Sequence, residues 1–183
     1  MADDSTTIGL SRSELQEVAG YAVTCARPAL VIFEREYADD RRPRAAIDAA
    51  QAFAVGGERT KALRDSAWAA HRAAREARDA GQAAASNTAR AAGHAVRAAF
   101  LHPLPRATQV KHIVGSAAHA ARAFEPSAGD DPAVGLDRIA QSRILASPVV
   151  VNVLRRYPSA TPGGRRVGEL MRILDASLRR LAT

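Results

Sequence analysis

The sequence predicts an all-α protein, a single-domain bundle of six to eight short helices. Three observations carry this expectation. Apolar residues recur at alternating spacings of four and three, as in Leu63, Ala67, Ala70, Ala74 and Ala77, or Val110, Val114, Ala117, Ala121 and Phe124. That spacing lays one apolar stripe along a helix. No segment alternates apolar and polar residues with period two, as a half-buried strand would. Alanine supplies 42 of the 183 residues; it is the strongest helix former, and its small side chain lets helix axes approach closely. The length suits one domain, with residues 1–10 expected as a flexible tail and 11–183 as the helical domain.

Each element has its own start and stop signals. Ser11 and Glu14 have the spacing of a capping box and open a first helix reaching about Tyr37, kinked or split at Pro28. Asp40 is placed to cap a second helix, with Pro43 in its first turn and Gly56-Gly57 at its end. Thr60 caps a third helix, which runs to about Ala80 and closes at Gly81. The fourth covers about Gln82 to Leu101, before Pro103 and Pro105 force a break, and the fifth carries Val110 to Phe124. Glu125 to Pro132 reads as a loop. Asp131-Pro132 and Ser147-Pro148 each have the N-cap and N1 signature of a new helix. Val149–Val151 sits between helix signals and is read as buried helix, not strand. After a loop from Pro158 to Gly164, the last helix carries Val167, Leu170, Leu174, Leu178 and Leu181.

Composition removes several function classes. The longest run without a charged residue, Ile144 to Leu154, is too short to cross a membrane, so no membrane partner is expected. The N-terminus is acidic and polar, with no secretory signal, and the single cysteine, Cys25, excludes an internal disulfide. The expected location is the cytoplasm. Neither lysine follows a glycine, so there is no P-loop; H-E-x-x-H, E-x-x-H and G-x-S-x-G are also missing. No catalytic residue, metal ligand or cofactor is therefore assigned. Cys25, within YAVTCARPALVIF, reads as a small buried hydrophobe.

Three constellations stand out. His112, Ser116 and His119 share one face of the fifth helix, opposite Val110, Val114 and Ala121, with Gln109 at its edge and His102 just before it. These are either hydrogen-bonded structural histidines or a binding surface on which three imidazoles converge. Arg64, Trp68, His71, Arg75 and Arg78 form a stripe on the third helix. Trp68 and His71 either fill volume against a neighbouring helix while the arginines reach for water, or make an aromatic–cationic patch for a partner. Arg41-Arg42-Pro43-Arg44, between Asp39-Asp40 and Asp48, reads as a salt-bridged turn.

The segments DDRRPRAAIDAAQAF, SAWAAHRAAREA, ARAAGHAV and HPLPRATQVKHIVGSAAHAARAFE, with DPAVGLDRI and VGELMRILDASLRR after them, resemble the Imm-5-like family of helical bacterial immunity proteins. TQVKHIVG preceded by His-Pro is the most specific piece. The resemblance implies a role in a polymorphic toxin system: binding a cognate protein toxin and neutralising it without catalysis. On this basis His102, Gln109, Lys111 and His112 fall in the matching motif and are the first candidates for a functional surface, with His71 beside them. His119 stands where relatives carry an aromatic residue.

Two further readings remain beside this one. A small helical enzyme or ligand-binding domain would use the His102–His112 region. A nucleic-acid binder would use the basic C-terminal helices, although a 4% aromatic content disfavours single-strand stacking. The net charge of +7 is uneven: residues 1–137 hold 17 basic and 17 acidic side chains, and residues 138–183 hold nine arginines against Glu169 and Asp175. An anionic partner is therefore expected at Arg155, Arg156, Arg165, Arg166, Arg179 or Arg180.

Overall fold

Local capping sets the helix starts. The structure, a computed structural model, describes residues 7–182. At the first helix Ser11 Oγ accepts from the Glu14 backbone N–H at 3.1 Å, and the Glu14 carboxylate accepts from the Ser11 N–H at 2.8 Å. This reciprocal box opens α1 (Arg12–Ala26). Pro28 has no N–H for the helical ladder. The chain therefore passes through a 3₁₀ turn at Arg27–Ala29 and resumes as α2 (Leu30–Glu36), so the long first helix is split in two.

α3 (Arg42–Ala54) has Arg41, not Asp40, at its N-cap. Asp40 instead accepts from the Arg42 N–H at 3.0 Å and clamps the Arg42 guanidinium, which also reaches Glu76. Arg44 pairs with Glu34. The basic tetrapeptide is thus a salt-bridged turn, and it ties α3 to its neighbours. Thr60 caps α4 (Lys61–Asp79), whose predicted seam of Leu63, Ala67, Ala70, Ala74 and Ala77 is buried throughout. Gly81 takes the left-handed backbone (φ +76°) that ends it.

α5 (Ala83–Ala98) leads through the two prolines and a 3₁₀ turn at Ala107–Gln109 into α6 (Val110–Phe124). Asp131 caps α7 (Pro132–Leu145), and Ser147 caps α8 (Pro148–Arg155), which contains Val149–Val151 as helix. α9 (Arg165–Arg179) closes the order. Among the described residues there are nine α-helices and no strand, one more than the upper end of the six to eight expected, because the first helix is split at Pro28.

α5 and α6 form the centre. α5 lies between α4 and α6 and also touches α1, α2 and α3; α6 packs on α5, α1, α7 and α9. Eleven of the fifteen α6 residues are buried, so its polar face turns towards α5 and not towards water. Small side chains permit the close approach: Ser116 Oγ donates to the Ala91 carbonyl at 2.8 Å, and Ser86 Oγ to the Ala74 carbonyl at 2.7 Å. Larger apolar residues fill the flanks, with Phe33, Phe53, Ile47, Leu154, Leu170, Leu174 and Leu178 fully enclosed.

Two segments differ from the sequence reading. Ile8 and Leu10 pack against the core, and the Ile8 N–H donates to the Pro103 carbonyl at 2.6 Å; residues 1–6 of the expected tail lie outside the described residues. Glu125 opens the expected loop but is 1% exposed, held by Arg122 and Arg166. Gly135 of α7 makes room for it, since a Cβ there would lie 2.0 Å from Glu125 Oε1. Cys25 is the small buried residue expected, its thiol pushed up to about 11 by burial.

Candidate functional site

The charge balance of the first 137 residues conceals a segregation. Between Asp79 and Glu125 the sequence contains no Asp or Glu but five bases: Arg90, Arg97, Arg106, Lys111 and Arg122. This acid-free stretch is the central pair α5–α6, and the acids that balance it sit on surrounding helices. Arg90, His94 and Arg97, at spacings of four and three, share one face of α5.

That face meets α4, α6 and α9 at a cavity of about 260 Å³. Arg90, Arg97 and His94 enter it from α5, His71 from α4, and Lys111 and His119 from α6, with Ala67, Gly93 and Met171 as apolar wall; no carboxylate lines it. None of Arg90, Arg97 and Lys111 has an ion-pair partner within 4.0 Å among the described residues. The electrostatics record the crowding. Burial first, then Arg97, Arg90, Arg75 and Arg78, push the His71 imidazole below its ordinary range. Arg90 is lowered by burial and then by Arg78 and Arg97, and Arg97 by burial.

Three of the five histidines cluster at the inner end of this cavity. The His94 ring stacks on His119 at 5.2 Å between centroids, 15° from parallel, and lies 5.6 Å from His112. A Cβ at Gly115 would stand 3.1 Å from His94 Cγ, so glycine provides the space for the ring. His119 Nδ1–H donates to Asn87 Oδ1 at 2.8 Å. Nδ1 of His94 and Nδ1 of His112 are covered and have no hydrogen-bond partner. Burial, then its two histidine neighbours, Arg97 and Lys111, hold His94 well below its usual range. Burial, Lys111 and Arg97 bring His112 to about 4; burial and Arg90 bring His119 to about 3. In all three the shift favours the uncharged imidazole, and of the three only His119 has a hydrogen bond among the described residues. Among the described residues no group of three or more His, Cys, Asp or Glu side chains is placed to hold a metal ion.

The sequence candidates divide between this cavity and other roles. His71 and Lys111 line it, and His112 joins the imidazole cluster. His102 and Gln109 lie apart and fix the proline corner. The His102 N–H donates to Gln109 Oε1 at 2.9 Å, the Leu104 N–H to His102 Nδ1 at 3.2 Å, and Tyr157 OH to the His102 carbonyl at 2.8 Å. His94, which sequence reasoning missed, takes the place expected for His102. Its available signal was a histidine beside Gly93 in an otherwise alanine-rich helix, facing Gly115.

Trp68 departs from the volume-filling expectation. It is 55% exposed, because alanines already fill the α4 seam against α5 and leave no room for an indole. The Arg97 guanidinium lies 5.7 Å from its ring centroid, the His71 ring meets it edge-on at 6.3 Å, and Arg64 covers Phe100 beside it at 5.1 Å.

Most of the C-terminal arginines are engaged within the chain. Arg155 donates to the carbonyls of Arg179 and Leu181. Arg156 binds Glu14 and the Gly9 carbonyl, Arg166 binds Glu125 and Glu169, and Arg179 binds Asp175 and the carbonyls of Leu154, Tyr157 and Pro158. Arg165 and Arg180 stay exposed. Arg165 and Arg166 line a second cavity of about 570 Å³, which shares Arg90 and His119 with the first.

A family model described as Imm-5 like putative immunity protein matches residues 9–146, three-quarters of the chain. No curated protein and no solved structure matches it significantly.

Proposed function

The chain belongs to the Imm-5-like immunity protein family, and from that premise we propose that it binds a cognate bacterial protein toxin in the cytoplasm and neutralises it by occupying its surface, without catalysis. The observation that supports a contact surface is Trp68, half exposed on the cationic α4–α5–α6 face with Arg97 against its ring and Arg64 nearby. Tryptophan and arginine are the residue types that most often anchor interfaces. A single domain of this size presents enough surface for a specific interface of about 1,200–2,000 Å². Arg90, Arg97 and Lys111 of this face have no carboxylate beside them, which favours an acidic complementary toxin surface. The binding-only reading is supported by the cavity's lack of a carboxylate, which leaves its neutral imidazoles without an acid to orient them for proton transfer.

The test is paired expression with the secreted protein encoded beside this chain. Wild type is expected to restore growth of cells expressing the toxic C-terminal domain, and Trp68→Ala combined with Arg97→Ala to fail while remaining folded. Lack of protection by the wild type, or full protection by the double variant, would count against the proposal.

A further inference from the structure

We propose that the cavity between α4, α5, α6 and α9 is a binding site for the phosphate group of a small molecule, held by Arg90, Arg97 and Lys111 with His71 and His94 as further hydrogen-bonding groups. The proposal goes beyond toxin binding and does not depend on it.

Charge is the first argument. Buried and half-buried charges in folded proteins are normally paired, because an unpaired one loses hydration without compensation. Here Arg90 and Arg97 are both partly buried, stand on one face of one helix, and are joined by Lys111 from α6 with no carboxylate among the lining residues. Elsewhere six partly buried arginines, Arg42, Arg44, Arg122, Arg156, Arg166 and Arg179, each meet an acid, while Arg172 donates to the Gly163 carbonyl and Arg138 lies over the Phe124 ring. What distinguishes the cavity is that three cations without an acid converge there, and an anion among them would compensate all three.

Hydrogen bonding is the second. His94 lines the cavity and makes no hydrogen bond through Nδ1, nor do His112 Nδ1 and Tyr21 OH elsewhere, whereas Ser86, Thr88 and Ser116 satisfy their hydroxyls on helix carbonyls. His94 therefore has hydrogen-bonding capacity that no side chain among the described residues takes up. The ring that carries this nitrogen is set by stacking on His119 and by the glycine at 115, so its position is fixed before any ligand arrives.

Geometry selects the ligand class. The cations approach from two helices and the His71 imidazole from a third. A planar carboxylate is satisfied by a single guanidinium fork, whereas a tetrahedral phosphate with three or four oxygens takes donors from several directions. The volume of about 260 Å³ suits a compact group, below the usual range for drug-sized ligands. The adjoining cavity, reached past Arg90 and His119, would take whatever the phosphate is esterified to.

The test uses the full chain alone, so its failure is distinguishable from failure of toxin binding. Inorganic phosphate and ribose 5-phosphate are titrated at constant ionic strength against chloride, following the melting temperature and the imidazole nitrogen resonances. Expected are a saturable rise of about 5–10 °C at 100 times Kd and shifts confined to His71, His94, His112 and His119. Equal affinities would assign the site to free phosphate, and tighter binding of the ester to a phosphorylated metabolite. Arg97→Met should weaken binding at least about tenfold. Lys111 is exposed, so Lys111→Met should do the same with no change in unliganded stability, which keeps the test valid if the arginine variant folds poorly. No saturable response to either anion beyond chloride, or wild-type affinity in Lys111→Met, would overturn the proposal.

Discussion

Replacing Glu125 by alanine should cost this protein about 3 kcal/mol. The carboxylate is 1% exposed and accepts three charge-assisted bonds: from Arg122 Nη1 at 2.8 Å, and from Arg166 Nε and Nη2 at 2.9 and 2.7 Å. Such bonds are worth about 1.5–3 kcal/mol each, and breaking a buried pair from one side costs about 3–5 kcal/mol. The low end applies because neither arginine is left alone. Arg122 keeps Asp130 at 2.9 Å, Arg166 keeps Glu169 at 3.0 Å and the Pro132 carbonyl, and both guanidinium side chains reach solvent. For a chain of this length about 3 kcal/mol lowers the melting temperature by about 6–12 °C. Thermal unfolding followed by far-UV circular dichroism measures it. Glu125→Gln should fall between the variant and wild type, because it keeps the shape and loses the charge. A double-mutant cycle with Arg166→Ala should recover a coupling of about 1–3 kcal/mol. A Glu125→Ala melt within about 2 °C of wild type would refute the view that this carboxylate ties α6, α7 and α9 together.

Other outcomes follow from the same contacts. Gly20→Ala meets only Ala54 Cβ at 3.6 Å, so urea unfolding should show it more stable by about 0.5–1 kcal/mol through helix propensity. Gly135→Ala drives a methyl into Glu125 and should destabilise by more than 1 kcal/mol in the same assay; equal effects would contradict the packing described. His94, His112 and His119 have folded pKa values below that of an unfolded histidine. The unfolded chain therefore binds protons first, and stability present above pH 6.5 is lost as the pH falls towards 4, by at most about 1.4 kcal/mol per pH unit for each group. Denaturation midpoints across that window test this, and a His119→Phe variant should show a shallower slope. Arg156 holds Glu14 down to about 2, so its contribution is present above pH 4.5 and disappears as the pH falls towards 2. Glu14→Gln should lack that acid limb.

The backbone plan was legible because helix boundaries are local. Ser11, Thr60, Asp131 and Ser147 cap the helices they were expected to cap, since capping involves residues two or three positions apart. The α4 seam was legible from period alone. The site was legible in part. His71, Lys111 and His112 carried recognisable signals, but the partner of the histidine face is His94, on another helix, and no spacing rule links α5 to α6. Trp68 was expected to fill volume, because the sequence does not reveal how closely alanine seams bring two helices together. The C-terminal arginines show the reverse effect. Nine of them against two acids look like a surface charge, yet Arg155, Arg156, Arg166 and Arg179 bind partners that include Gly9, Glu14 and Glu125, far away in sequence. The proposed anionic ligand is better matched by Arg90, Arg97 and Lys111 on α5 and α6, which have no carboxylate partner among the described residues.

Titration calorimetry of this chain against the proposed cognate toxin, with wild type and with the Trp68→Ala, Arg97→Ala double variant, is the decisive measurement. A stoichiometric wild-type complex is expected, and a loss of at least about 30-fold in the variant, equal to one hot spot of about 2 kcal/mol, with an unchanged melting temperature. An unchanged affinity in a folded variant would contradict the assignment of this face, and the absence of any complex with the wild type would contradict the immunity function itself.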